Sequence, residues 1–213
     1  MAEPGLASAA EFRGFAHMLR GDFAAAAASY GRASECADCE AEQRDILHFN
    51  QARMLGEAGQ QREALAVFAQ HAKALDARFG HQRRIEEAEL CCQLGEQQQA
   101  EQRLDYVVGS DDATPFLLLQ AGMAYVTAGN HAKAETVLQR AAVKEPIADY
   151  YLGRLKLQQG DTDTSVQLLE RAAAARPAEV KQLLASESAA WSAVAASERF
   201  QNLQGTHPAT PVR

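Results

Sequence analysis

Small and large apolar residues recur along this chain in one frame, set by five glycines at Gly21, Gly59, Gly95, Gly129 and Gly160. Seven positions before them stand Gly14, Ala52, Ala88, Gly122 and Gly153, and five after stand Ala26, Ala64, Ala100, Ala134 and Ser165. Nine after come the large residues Tyr30, Phe68, Leu104, Leu138 and Leu169. No segment keeps up the two-residue alternation of a strand. The frame predicts five antiparallel helix pairs, over residues 7–20 and 22–36, 42–57 and 61–77, 81–94 and 97–109, 115–128 and 131–144, and 147–159 and 162–175.

Close helix approach explains the frame. A small residue on each helix leaves no bulk at the crossing, and the large residue at plus nine fills the space beside it. The central glycine ends the first helix in a left-handed conformation that other residues reach only at a cost. Asn130 and either Asp161 or Thr162 read as N-caps, and Pro115 and Pro177 as helix openers. The interval between turn glycines falls from 38 to 36, 34 and 31 residues, so the extra length lies in the early connections. After Pro177, Val180, Leu183, Leu184, Trp191 and Val194 predict one longer helix over 178–203. It reads either as a cap over the last pair or as a contact surface marked by Trp191 and Phe200.

With alanine five after the glycine in four units, a large apolar residue nine after in all five, and proline seventeen after in the last two, where the first three have aspartate, the chain resembles the tetratricopeptide-repeat family. The fourth unit carries the likeness best, through Gly122, Tyr125, Gly129, Ala134, Ala141 and Pro146. The resemblance implies an all-α, right-handed superhelical solenoid of antiparallel helix pairs. Five repeats would occupy residues 7–177, a capping helix 178–203 and a disordered tail 204–213. The length of 213 residues then reads as one elongated domain.

A net charge of −7 works against unspecific attraction to nucleic-acid phosphates, and the one basic doublet, Arg83 and Arg84, is followed by Glu86, Glu87 and Glu89. No apolar run approaches the ~20 residues of a membrane-spanning helix, and the start lacks the blocks of a secretory signal. The expectation is a cytoplasmic protein without membrane insertion. Cys36 and Cys39 form a CxxC, a weak metal or redox signal, while Cys91 and Cys92 are helix neighbours that point about 100° apart. Free thiols without a metal are expected, with Cys91 in the core.

No phosphate-binding glycine loop, dinucleotide fingerprint, zinc-protease helix or nucleophile elbow occurs. His17, His48, His71, His81 and His131 are spread over four units with no nucleophile in a shared motif, and the carboxylates of Glu86 and Glu87 read as solvated. A noncatalytic protein without a cofactor is expected.

By the resemblance, first helices line a concave groove for a protein or peptide partner. Carried over by the frame, the lining is Phe15 and Met18, Phe49 and Arg53, Ile85 and Glu89, Phe116, Leu119 and Met123, and Tyr150 and Arg154. The family's clamp for C-terminal carboxylates would need lysine and asparagine where Glu11 and Phe15 stand, and Asn50 alone matches it. The predicted function is therefore an adaptor or chaperone-like scaffold holding an apolar or amphipathic segment. The alternatives are an assembly subunit that forms a homodimer through its C-terminal helix, and a metal- or thiol-dependent enzyme accessory.

Overall fold

The computed structural model describes residues 5–204, whose regular elements are all helices, with no strand among them. They divide into two compact units that part between Val107 and Val108. The first unit is built from α1 (Leu6–Leu19), α2 (Phe23–Glu35), α3 (Ala41–Glu57), α4 (Gln61–Gln70), α5 (Ala72–Gln93) and most of α6 (Gln97–Val108). The second holds α7 (Pro115–Thr127), α8 (His131–Ala142), α9 (Ala148–Gln158), α10 (Thr162–Ala175) and α11 (Pro177–Ser186). A 3-10 helix (Ser188–Val194) and α12 (Glu198–Gln204) complete it.

All five turn glycines adopt the left-handed backbone, with φ between 76° and 83°. In each turn the residue after the glycine donates its N–H to a carbonyl five positions back, as from Asp22 to His17, Asn130 to Tyr125 and Asp161 to Lys156, at 2.9 to 3.0 Å. This Schellman bond satisfies carbonyls that a helix end leaves open. The second helices then start on side-chain caps where the sequence supplies them. Asn130 Oδ1 accepts from Lys133 N–H and Asp161 Oδ1 from Thr164 N–H, at 3.2 and 3.1 Å.

The crossings are as tight as the frame predicts. A Cβ placed on Gly14 would lie 2.9 Å from the ring of Tyr30, and one on Gly122 would lie 2.6 Å from Cγ of Leu138. Tyr30 and Leu138 are both plus-nine residues, so the small and large positions of one repeat meet face to face. Gly153 differs, because it gives room to the Ser165 carbonyl at 3.0 Å and the Trp191 ring at 3.3 Å.

Two elements depart from the predicted boundaries. The helix expected over 61–77 stops at Gln70, and α5 begins at Ala72 and runs through a kink at Phe79, with φ −125° and ψ 18°. Strong helix formers over 72–78 carry the next helix backward, and Phe79 turns in to stack on Phe49 at 4.5 Å between ring centroids. The C-terminal helix is broken into three pieces. On one straight helix Phe200 would sit about 200° round from Val180, yet Val180, Leu184, Trp191, Val194 and Phe200 are all buried. Breaking the rod at Glu187 lets both faces reach the second unit. The tail predicted from residue 204 lies outside the described residues, apart from Gln204, which ends α12.

Glu87, expected in solvent, is buried between Arg83 and Arg103. Buried Arg83 also donates to Asp76 Oδ1 at 2.6 Å, so four charges on α5 and α6 compensate one another.

Candidate functional site

The residues carried over as a groove fall into two rows with opposite fates. Ten positions before the turn glycine stand Phe49, Ile85, Leu119 and Tyr150, and all four are buried, between 0% and 7% exposed. Six before stand Phe15, Arg53, Glu89, Met123 and Arg154, and every one reaches solvent. Four residues displace a side chain by only about 40° around a helix, but here that step crosses from core to surface. The first row is therefore corrected from partner contact to core: Phe49 packs on Phe68 and Phe79, and Tyr150 on Trp191. Met18 is half-buried against the core of the first unit.

In the second unit the exposed row frames a cleft of about 150 Å³ between α7 and α9. Met123, Val126 and Thr127 form one wall; Tyr151, Arg154, Leu155 and Gln158 form the other. Phe116, 56% exposed, lies seven residues before Met123 on the same face of α7. Tyr151, Arg154 and Gln158 are spaced i, i+3 and i+7, a stripe that sequence reasoning missed by choosing Tyr150, one residue and 100° away.

Arg154 is held by a short network. Its Nη1 donates to Glu187 Oε2 at 2.6 Å, and the same oxygen accepts the hydroxyl of Tyr150 at 3.0 Å. The Tyr150 oxygen in turn accepts the indole N–H of Trp191 at 3.0 Å. Burial, with Glu187 adding to it, pushes the Tyr150 hydroxyl up to about 12, so it stays protonated and a donor. Trp191 and Phe200 are 0% and 1% exposed. They are corrected from a self-association surface to the inside of a cap, because the broken C-terminal segment turns them onto α9 and α10.

In the first unit the same row carries charge in place of the apolar lining expected. Arg53 Nε lies 3.1 Å from Glu86 Oε1. Glu89 reaches solvent, yet the protein around its carboxyl strips part of its hydration, and this, followed by repulsion from Glu86, pushes it up to about 7. Phe15 belongs to a different surface. With Phe12 and Leu19 it forms an exposed stripe on α1, 49% to 69% accessible. The four cysteines are free, and burial pushes the thiols of Cys39, Cys91 and Cys92 up, away from the nucleophilic thiolate. Among the described residues, no cluster of metal-ligating side chains occurs and no helix is long and apolar enough to cross a membrane.

Residues 115–140 and 148–178 each match a tetratricopeptide-repeat family model. Those two segments belong to the tetratricopeptide-repeat family. The fold of the chain is that family's all-α solenoid of helix pairs, and solved structures share it. The thermophilic repeat protein TTC0263 of Thermus thermophilus is 22% identical, with 86% of this chain and 98% of that one covered and a TM-score of 0.62. MamA of Desulfovibrio magneticus RS-1 is 17% identical over 87% of this chain and 99% of its own, at 0.55. A chain of the APC/C hetero-tetramer Cut9–Hcn1 is 14% identical at 0.60; 94% of this repeat protein aligns with 41% of it. No curated protein sequence matches.

Proposed function

We propose that this repeat protein is a noncatalytic scaffold that holds an amphipathic segment of a partner protein in the cleft between α7 and α9. The observation that carries this reading is that Met123 and Arg154, at the same place in successive repeats, line that one cleft. Apolar Met123, Val126 and Leu155 give adaptable contact area, and Thr127, Gln158 and Arg154 give a polar rim. Helix-in-groove recognition needs that combination of apolar anchors and flanking polar groups. Among the described residues, burial raises the thiols of Cys39, Cys91 and Cys92, and Arg83 and Arg103 compensate Glu87, which supports a noncatalytic reading.

Panning a displayed library of random peptides against the full chain and against Met123→Asp tests the reading. The wild type should enrich a related set of peptides that the variant fails to hold while keeping the same thermal midpoint. Peptides that bind both proteins alike, or no enrichment at all, would sink it.

A second reading, self-association, draws support from α1 in place of the C-terminal segment. Phe12, Phe15 and Leu19 make an apolar stripe on α1 that is exposed among the described residues, whereas Trp191 and Phe200 of the C-terminal segment are buried. Light scattering on the wild type and on Phe12→Lys would separate a dimer from a monomer.

A further inference from the structure

The geometry points to a partner segment that presents a carboxylate beside an apolar side chain, with Arg154 as the residue that reads the charge. This inference rests on the cleft between α7 and α9 being the binding site, and it names the chemistry of the occupant.

Among the seven residues lining the cleft, Arg154 is the one charged side chain. Met123, Val126, Tyr151 and Leu155 surround it with apolar surface, which weakens water's competition for a bound anion. Arg154 is about a third exposed, so an incoming group can reach it. It is also already arranged for a carboxylate. Its Nη1 is directed at Glu187 Oε2, and Tyr150, itself held by the indole N–H of Trp191, donates to that same oxygen. The guanidinium is thereby held in one orientation, while its Nη2 and Nε protons are left for a second acceptor. A planar fork held in place matches the two oxygens of a carboxylate better than it matches an amide or a hydroxyl. Glu187 and Glu179 act on Tyr151 from outside the cleft, and no carboxylate is among its lining residues, so a basic segment finds no anionic partner on its walls. Arg154, although paired with Glu187, still offers N–H groups to an acceptor in the cleft. Charge complementarity selects an acidic, amphipathic segment.

The test uses the full chain and a displayed library of random peptides, followed by paired synthetic peptides that differ only in Glu against Gln at the enriched acidic position. The wild type should enrich Asp or Glu next to Leu, Met or Phe, and the Glu peptide should bind roughly 10-fold tighter than its Gln twin. Raising the salt concentration should narrow that gap. Arg154→Gln should bind the two twins equally. Arg154→Lys, which keeps the charge without the fork, should retain only part of the preference. If the wild type binds the twins equally, the charge reading is overturned while the cleft survives as an apolar site. If the library yields no peptide at all, the cleft assignment itself has failed.

Discussion

Trp191 donates its indole N–H to the hydroxyl of Tyr150, 41 residues earlier in the chain, at 3.0 Å in a buried setting. The bond joins the broken C-terminal segment to α9, and Gly153 leaves the room in which the indole sits. The cap is thus fitted to the last repeat and not merely laid over it. Trp191→Ala should cost ~3 to 5 kcal/mol by opening a large cavity. Tyr150→Phe should cost ~1 to 2 kcal/mol by stranding the indole N–H and one partner of Glu187. Urea titration of both variants checks the order; a Tyr150→Phe protein as stable as wild type would remove the hydrogen bond from the account.

The crossing and turn glycines should fail for different reasons. At Gly122 the fault is space, since a Cβ would meet Leu138 at 2.6 Å, so Gly122→Leu should cost ~1 to 3 kcal/mol through overpacking. At Gly129 nothing lies within 4 Å, but φ is 79°, so Gly129→Ala should cost ~1 kcal/mol through backbone strain alone. Gly109, outside the frame and without a positive φ, should accept alanine with little change in thermal midpoint. Pairing Gly122→Leu with Leu138→Ala should recover part of the loss.

Leu119 and Met123 lie one helical turn apart on α7 and should separate stability from binding. Leu119→Ala should cost ~2 to 5 kcal/mol as a core truncation. Met123→Ala should shift the midpoint by only a few degrees and weaken a cleft-bound peptide by roughly 10-fold. Equal effects on stability would mean that the two rows are not distinct.

Acid should act on the first unit in two opposing ways. Glu89 sits above its ordinary 4.5, at about 7, so the folded state takes up a proton first. Its contribution favours folding below 4.5 and is lost as pH rises through 7. His48 and His71 stack at 3.5 Å, and burial holds both below 6.5. Their contribution is present above 6.5 and is lost as pH falls through their lowered values, with Asp45 moderating the loss and Arg44 adding to it at His48. Midpoints measured from about pH 4.5 to 8 should therefore show Glu89→Gln gaining most at the alkaline end. His48→Gln should flatten the acid limb.

The repeat was legible because its requirements are local. A left-handed turn demands glycine, a crossing demands a small residue, and both leave fixed letters at fixed intervals. The binding row was legible only in part. Phe49, Ile85, Leu119 and Tyr150 look like anchors from their own helices, but the elements packed against them decide whether they meet solvent. Phe79 covers Phe49 only because α5 kinks, and Trp191 covers Tyr150 only because the C-terminal helix breaks. The kink has Gly80 beside it, a glycine outside the repeat frame, and the break at Glu187 has neither proline nor glycine next to it. Glu87 is the reverse case, a charge whose burial depends on Arg103 arriving from α6.

The chain contains a single tryptophan, and it is wholly buried between Tyr150 and Phe200. Light absorbed by that indole is therefore emitted from one place, the seam between α9 and the C-terminal cap. An unfolding curve followed by its emission times the release of the cap, while far-ultraviolet ellipticity sums every helix in the chain. Where the two curves part, the last repeat opens on its own, and the dye needed to watch it is already built in.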